Sequence, residues 1–239
     1  MNLNARHVVV IGGSSGIGLG IARAALGAGA RVTLCGRSEE RLASAARDLD
    51  APARVATFAA DATHEEAVRR LFETAGPVDH VVTTTVHVEA QGVHQLDLAA
   101  AQRVLDSKLG VALRVAKHAR LQAGGSLLFV TGVASDRPGP SGAVVAAANG
   151  ALHSLTRALA LELAPVRVNA LSPGWVETPL WDRLATPAAR DERFAQQAQR
   201  LPARRIGTTA DLGHAALFLL SNGFTTGEVL SVDGGHRLV

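Results

Sequence analysis

His7-Val8-Val9-Val10-Ile11 runs without a break into Gly12-Gly13-Ser14-Ser15-Gly16-Ile17-Gly18, and a helical pattern follows at once. A short run rich in valine and isoleucine, apolar on both faces, reads as a strand buried between two layers of helices. The glycines then have separate tasks. Gly12 permits a tight turn, Gly16 lets the backbone approach a pyrophosphate, and Gly18 lets the helix pack close to the sheet. The free N–H groups and the dipole of that helix face the anion. A glycine motif alone is weak, but strand, turn and helix N-terminus in this order point to a dinucleotide site. The plainer alternative is a tight strand-to-helix turn with no ligand.

Beyond this stretch the same alternation continues. Strand candidates fall at 7–11, 31–35, 54–59, 80–84, 126–131, 166–171 and 229–232, with helical patterns at 17–28, 39–48, 64–75, 97–122, 143–163 and 210–221. Strands apolar on both faces and separated by helices form a parallel sheet covered on both sides. The expected fold is one doubly wound, Rossmann-type α/β domain over 1–239, a parallel sheet of seven strands with helices on both faces. The polar helical stretch 179–205 interrupts the pattern. An insertion there overhangs the carboxyl edge of the sheet, where ligands of open α/β folds bind. It is read as a substrate lid, against a plain surface excursion.

Composition narrows the partners. The 239 residues are 47% hydrophobic with 24 glycines, enough for a large core, and 19% charged residues exclude a disordered chain. No apolar run approaches the ~20 residues that a membrane helix needs. The start has no signal-peptide layout, and the single cysteine, Cys35, excludes an internal disulfide and argues against a zinc site. A cytoplasmic protein is expected, with no membrane partner. Net charge is only +3, the arginines are scattered, aromatics are 3% and tyrosine is absent. That is a poor match for a nucleic-acid groove, which needs a basic stripe and stacking platforms.

The second strand ends Leu34-Cys35-Gly36-Arg37. An acidic residue at this point would bind an adenine-ribose hydroxyl, whereas a guanidinium suits a 2′-phosphate, with Ser14 as a second donor. The expected cofactor is therefore NADP(H). The alternative is a solvated arginine ahead of a helix.

With these residues the chain resembles the short-chain dehydrogenases/reductases over essentially its whole length. Gly12-x-x-x-Gly16-x-Gly18 looks like that family's cofactor loop, and Asp61-Ala62 like its adenine-contacting pair. Asn169-Ala170-Leu171-Ser172-Pro173-Gly174 resembles its sixth strand and Pro-Gly turn, with Thr178 matching the threonine that meets the nicotinamide carboxamide. Val232-Asp233-Gly234-Gly235 resembles its C-terminal signature. The nucleotide-facing set this resemblance implies is Gly12, Ser14, Ser15, Gly16, Ile17, Gly18, Arg37, Asp61, Ala62, Thr83, Thr84, Thr131, Asn149, Pro173, Gly174, Val176 and Thr178. It also implies a homodimer or homotetramer, joined through the helices at 97–122 and 143–163. Ala112, Ala116, Ala147, Ala151 and Ala158 give those helices small-residue faces, unless these alanines face the sheet.

The same resemblance exposes a loss. Family members use an Asn-Ser-Tyr-Lys set, because a hydride arriving at a carbonyl carbon leaves an oxyanion that needs a donor and a proton. Here Val145 stands at the tyrosine position, Asn149 at the lysine, Gly132 at the serine and Ser107 at the asparagine. Thr83-Thr84-Thr85-Val86 replaces the Asn-Asn-Ala-Gly segment. No catalytic residue is assigned. Losing a positioned general acid costs about 10²–10⁴ in rate, so ordinary carbonyl reduction by this route is not expected. His87 and Glu89 fall near the expected substrate position, although a loop histidine is more often a surface residue. Asp136-Arg137 reads as a turn with a local ion pair, and His118 and His153 as residues facing a surface or subunit contact. Two readings remain. One is an atypical NADP(H)-dependent oxidoreductase acting on imines, iminium ions or activated C=C bonds, with a small-molecule substrate that the sequence does not identify. The other is a non-catalytic nucleotide-binding regulator or inactive partner subunit.

Overall fold

The computed structural model describes residues 1–239. The seven strands are β1 (His7–Ile11), β2 (Arg31–Gly36), β3 (Val55–Ala59), β4 (Val78–Thr83), β5 (Leu121–Val130), β6 (Arg167–Pro173) and β7 (Val229–Val232). They form one sheet in the order β3-β2-β1-β4-β5-β6-β7, and every pairing is parallel. The order reverses at β1, so the crevice between β1 and β4 is the switch point where open α/β sheets bind ligands.

The helices are α1 (Gly16–Gly27), α2 (Glu39–Asp48), α3 (Glu65–Ala75), α4 (Leu98–Leu105), α5 (Val111–His118), α6 (Ala143–Glu162), α7 (Pro187–Arg200) and α8 (Thr209–Ser221). Strand alternation divides the core between the two faces of the sheet. Val8, Val10, Leu128 and Val130 pack with Ile21 of α1 and Leu212 and Leu219 of α8. Val9, Ile11, Leu127 and Phe129 pack on the opposite face with Val68 and Leu71 of α3, Val115 of α5 and Leu152 of α6. β1 and the second half of β5 thus feed two cores by turns, which is why Val8–Ile11 and Leu127–Val130 are apolar throughout.

Two expectations require correction. The helical pattern at 97–122 is not one helix: α4 passes through a π-turn at Asp106–Gly110 into α5, which ends at His118, and β5 has begun by Leu121. The π-turn turns Ser107 and Lys108 inward together, and both are buried. Of the alanines read as docking faces, Ala112 is fully buried in the core and Ala116 packs against it, whereas Ala147 and Ala158 are exposed.

The stretch 179–205 contains a single helical turn at Trp181–Arg183 followed by α7. Thr186 caps α7 and Pro187 opens it, so its start is locally encoded. Three aromatic side chains pin this segment down. Trp175 and Trp181 lie 4.5 Å apart between ring centroids, and Phe194 of α7 meets Trp181 edge-on at 5.3 Å. No helix is long and apolar enough to cross a membrane.

Candidate functional site

The glycine loop is shaped by β4 as much as by its own sequence. Gly12 has φ of +87°, and a Cβ there would stand 2.4 Å from the Thr84 hydroxyl. That hydroxyl donates to the carbonyls of Ile11 (3.2 Å) and Gly12 (3.1 Å), tying the loop to the end of β4. A Cβ on Gly18 would fall 2.3 Å from the Gly12 carbonyl, so α1 can start this close to the turn only with glycine there. Ser15 precedes α1 in an extended conformation and its side chain makes no capping bond. By contrast, Ser38 caps α2 and a Thr208–Asp211 capping box closes α8. The first-turn N–H groups of α1 are left for an anion, as a pyrophosphate cradle requires.

At one end of this loop a cavity of about 640 Å³ is lined by Arg37, Asp61, His64 and Arg70, among others. Ser14 lies across from Gly36, its Oγ 3.5 Å from where a Cβ would stand. Arg37 is exposed and makes no hydrogen bond or ion pair, so its guanidinium is free for a ligand. Partial burial raises the Asp61 pKa, but bonds from the Thr63 N–H (3.0 Å) and hydroxyl (2.8 Å), with Arg37 and His64 nearby, outweigh it. The carboxyl is held below its usual range, ionised and ready to accept a bond. Ala62 is buried in the core beside it.

At the other end stand Thr178, Asn149 and the loop after β5. A Cβ on Gly16 would lie 3.3 Å from Cβ of Thr178, so the threonine overhangs the glycine loop. Asn149 is 2% exposed and its Oδ1 has no partner. A buried amide oxygen without a donor costs about 1–3 kcal/mol, and a ribose hydroxyl would be a donor of the kind it lacks. The residues present therefore fit a dinucleotide along its length: guanidinium, carboxylate, helix N-terminus, orphan amide and overhanging threonine.

Some expected contacts are not where the sequence put them. The Thr131 hydroxyl lies 3.1 Å from Nε2 of His153 and 3.3 Å from the Leu171 carbonyl, committed inside the protein. His153 is half-buried and faces the end of β5. Burial lowers its pKa, with Asp136 opposing and Arg157 and Lys108 adding to the fall. The Val176 side chain is buried in the core, leaving its backbone for the site; its carbonyl accepts from Trp181 Nε1 at 2.9 Å. Thr83 is buried at the end of β4 and Pro173 at the end of β6, while Ile17 and Gly174 are half-buried. The Asp136–Arg137 ion pair does not form. Arg137 reaches the Val239 carbonyl and Asp136 meets Ser135. His118 is paired with Glu65 at 2.9 Å, and Glu89 is shared by His87 (3.4 Å) and Arg103 (3.5 Å).

The residue that sequence reasoning missed is Lys108. It is 6% exposed, and its Nζ donates to the carbonyls of Val130 and Thr131, each at 3.1 Å. Burial pushes its pKa down to about 8. The signal was present, since it is one of only two lysines, but an unbroken helix gave no reason to place it inside.

Comparison with known proteins agrees with this geometry. A family model described as enoyl-(acyl carrier protein) reductase matches residues 11–237. Short-chain dehydrogenase/reductase ATR9 of Stachybotrys chlorohalonatus is 31% identical over 251 residues, covering 99% of this chain and 98% of that protein. L-fucose dehydrogenase of Oryctolagus cuniculus is 36% identical over 246 residues, covering 97% and 84%. A small-chain dehydrogenase crystallised in complex with NADPH superposes with a TM-score of 0.82 at 31% identity, covering 99% and 100%. With a family model over nearly the whole chain and relatives above 30% identity along their length, the chain belongs to the short-chain dehydrogenase/reductase family of nicotinamide-dependent oxidoreductases.

Proposed function

We propose that this protein is an NADP(H)-dependent reductase whose substrates accept hydride without a built-in tyrosine acid, such as imines, iminium ions or activated C=C bonds. The observation that carries the reading is the contrast at one site. The nucleotide cradle keeps an unclaimed helix N-terminus, a free Arg37 and an orphaned Asn149 oxygen, while Val145, at the tyrosine position, has no proton to give.

Bound NADPH would supply the hydride. The chain's own residues would do the rest. Arg37 and Ser14 grip the 2′-phosphate, Asp61 accepts from the adenine amino group, and the N-terminus of α1 holds the pyrophosphate. Asn149 accepts from a ribose hydroxyl, and Thr178 with the Pro173-Gly174 turn orients the carboxamide. The segment 179–205, held by its aromatic cluster, serves as the lid that excludes water. Exposed Ala147 and Ala158 on α6 leave room for a second copy in a dimer or tetramer. An iminium carbon becomes an amine on receiving hydride and needs no proton in that step, so the absent acid carries no penalty there; a neutral imine or an activated C=C bond would take its one proton from water. The relative crystallised with NADPH supports the choice of cofactor.

The test is calorimetry with NADPH, NADP⁺, NADH and NAD⁺, followed by NADPH oxidation with cyclic imines, activated alkenes and simple ketones. Micromolar NADP(H) binding, with turnover of the imine or alkene but not the ketone, is the expected result. Binding without turnover of any substrate would favour the second reading, a regulator or inactive partner subunit; the Thr131 hydroxyl, turned inward to His153 and the Leu171 carbonyl, also supports it. No binding of any nucleotide removes both.

A further inference from the structure

Lys108 is a buried cation with no counter-ion, and it lies under the part of the site where the nicotinamide is expected. Its Nζ donates to Val130 and Thr131, two residues from one strand end, and these are its only hydrogen-bond partners. The Thr131 carbonyl belongs to the peptide that leads into Gly132, and a Cβ on Gly132 would touch Nδ2 of Asn149 at 3.0 Å. From the π-turn and from α6, Lys108 and Asn149 thus approach consecutive residues of one strand end, Val130–Thr131 and Gly132. The π-turn at Asp106–Gly110 is what brings the ammonium there. We infer that Lys108 makes the site discriminate between the two oxidation states of the nicotinamide, favouring the neutral dihydro form over the cationic oxidised ring. This rests on the nucleotide reading above.

The physical reason is charge. Oxidation of the ring creates one positive charge, and a fixed cation in a dry site repels it with little screening. Surrounding groups do not cancel Lys108. On its own helix, Asp106 is paired with Arg114 at 2.8 Å. From α6 it faces His153, which also feels Arg157 and Asp136, and Asp136 is turned to Ser135. After β4, Glu89 is engaged by His87 and Arg103. Burial has already pulled the lysine to a pKa of about 8, so the repulsion is present at neutral pH and fades above it. The discrimination would make the protein a receiver of reducing equivalents that releases the spent cofactor readily.

The experiment is calorimetric measurement of Kd for NADPH and NADP⁺ from pH 6.5 to 9.5, on the wild type and on Lys108→Met. The expected wild-type preference for NADPH falls by about tenfold as pH rises through 8, and Lys108→Met shows the lower ratio at every pH. His153 titrates below this window, since its pKa is lowered, and so does not confuse the profile. Circular dichroism checks that the variant is folded; if it is not, the wild-type profile alone decides. A ratio independent of pH, or a folded variant with the wild-type ratio, overturns the inference and leaves the nucleotide reading standing. Failure of both forms to bind overturns the two together.

Discussion

Nδ2 of Asn149 lies 3.0 Å from the point where a Cβ would stand on Gly132, so the residues at the expected lysine and serine positions are packed against each other. A side chain at position 132 therefore has to move the Asn149 amide. Gly132→Ser must push the amide by a few tenths of an ångström and is expected to cost about 1 kcal/mol, a fall in Tm of roughly 2–4 °C for a chain of this size. Val145→Tyr alone places a phenol on α6 with neither lysine nor serine beside it. It is expected to leave ketone reduction undetectable when NADPH oxidation is followed. Ketone turnover by this single variant would show that the other three positions are dispensable.

Arg37 sits on the cavity wall with no partner in the protein. Arg37→Ala should therefore leave stability nearly untouched while removing a charge-assisted bond to the 2′-phosphate worth about 1.5–3 kcal/mol, or roughly 10–100-fold in Kd for NADPH. NADH, which lacks that phosphate, should bind the variant and the wild type alike. Equal losses for both nucleotides would place Arg37 elsewhere in the site.

The fold was legible because each strand declares itself. Runs such as Val8-Val9-Val10-Ile11 are apolar on both faces, and that happens only inside a covered sheet. The residues proposed for the adenosine end were legible in the same way, since Gly12, Gly18, Arg37 and Asp61 stand at fixed offsets from strand ends. What stayed hidden depends on contacts between distant segments. The π-turn at Asp106–Gly110, which turns Lys108 inward, leaves no mark in the hydrophobic periodicity. The Thr131 hydroxyl finds His153, 22 positions away, and the Trp175–Trp181–Phe194 cluster joins a turn to an insertion. None of these pairings has a sequence period.

Two buried histidines at the other end of the sheet give the fold a pH dependence. His7 bonds the Thr33 hydroxyl at 2.8 Å, and His80 bonds Ser126 at 2.9 Å. Burial lowers both pKa values to about 4, with Arg31 adding to the effect at His7 and Arg167 at His80. Between about pH 4 and 6.5 the unfolded chain binds protons that the native state refuses, so stability rises with pH and is complete near 7. Each histidine contributes a slope of up to about 1.4 kcal/mol per pH unit. Asp61, Asp79 and Asp211 have lowered pKa values and lose their contributions only below this window. Urea midpoints at pH 5 and 7 should differ in the wild type and differ less in His80→Asn; equal shifts in the two proteins would remove His80 from the account.

Arg167 closes α8 from inside. Its guanidinium donates to the carbonyls of Leu219 and Leu220, both at 2.7 Å, and so satisfies the end of that helix while sitting at the negative pole of its dipole. Burial lowers its pKa, yet it stays charged at every working pH. Arg167→Met keeps the apolar stem and strands those carbonyls, an expected loss of about 2–4 kcal/mol. Denaturant unfolding would read this, with nucleotide affinity of the folded fraction unchanged. A stability loss below half a kilocalorie would mean that water takes over the carbonyls.

Trp175 and Trp181 are the only tryptophans, and they pack with Phe194 across the base of the 179–205 segment. The Trp181 Nε1 bond to the Val176 carbonyl fastens the segment directly to the Pro-Gly turn. If the segment is a lid, its movement must disturb this cluster, so tryptophan emission should shift when nucleotide and substrate bind together. Trp181→Ala removes an aromatic pair worth about 0.5–1.5 kcal/mol beyond its buried area and loosens the hinge side of the segment. It is expected to raise KM for substrate several-fold, while NADPH affinity, set mainly by Arg37, Asp61 and the glycine loop, changes little. The split between the two constants is the decisive readout. Parallel weakening of both would mean the cluster supports the nucleotide site as a whole. An unmoved KM with silent fluorescence would reduce 179–205 to a surface excursion.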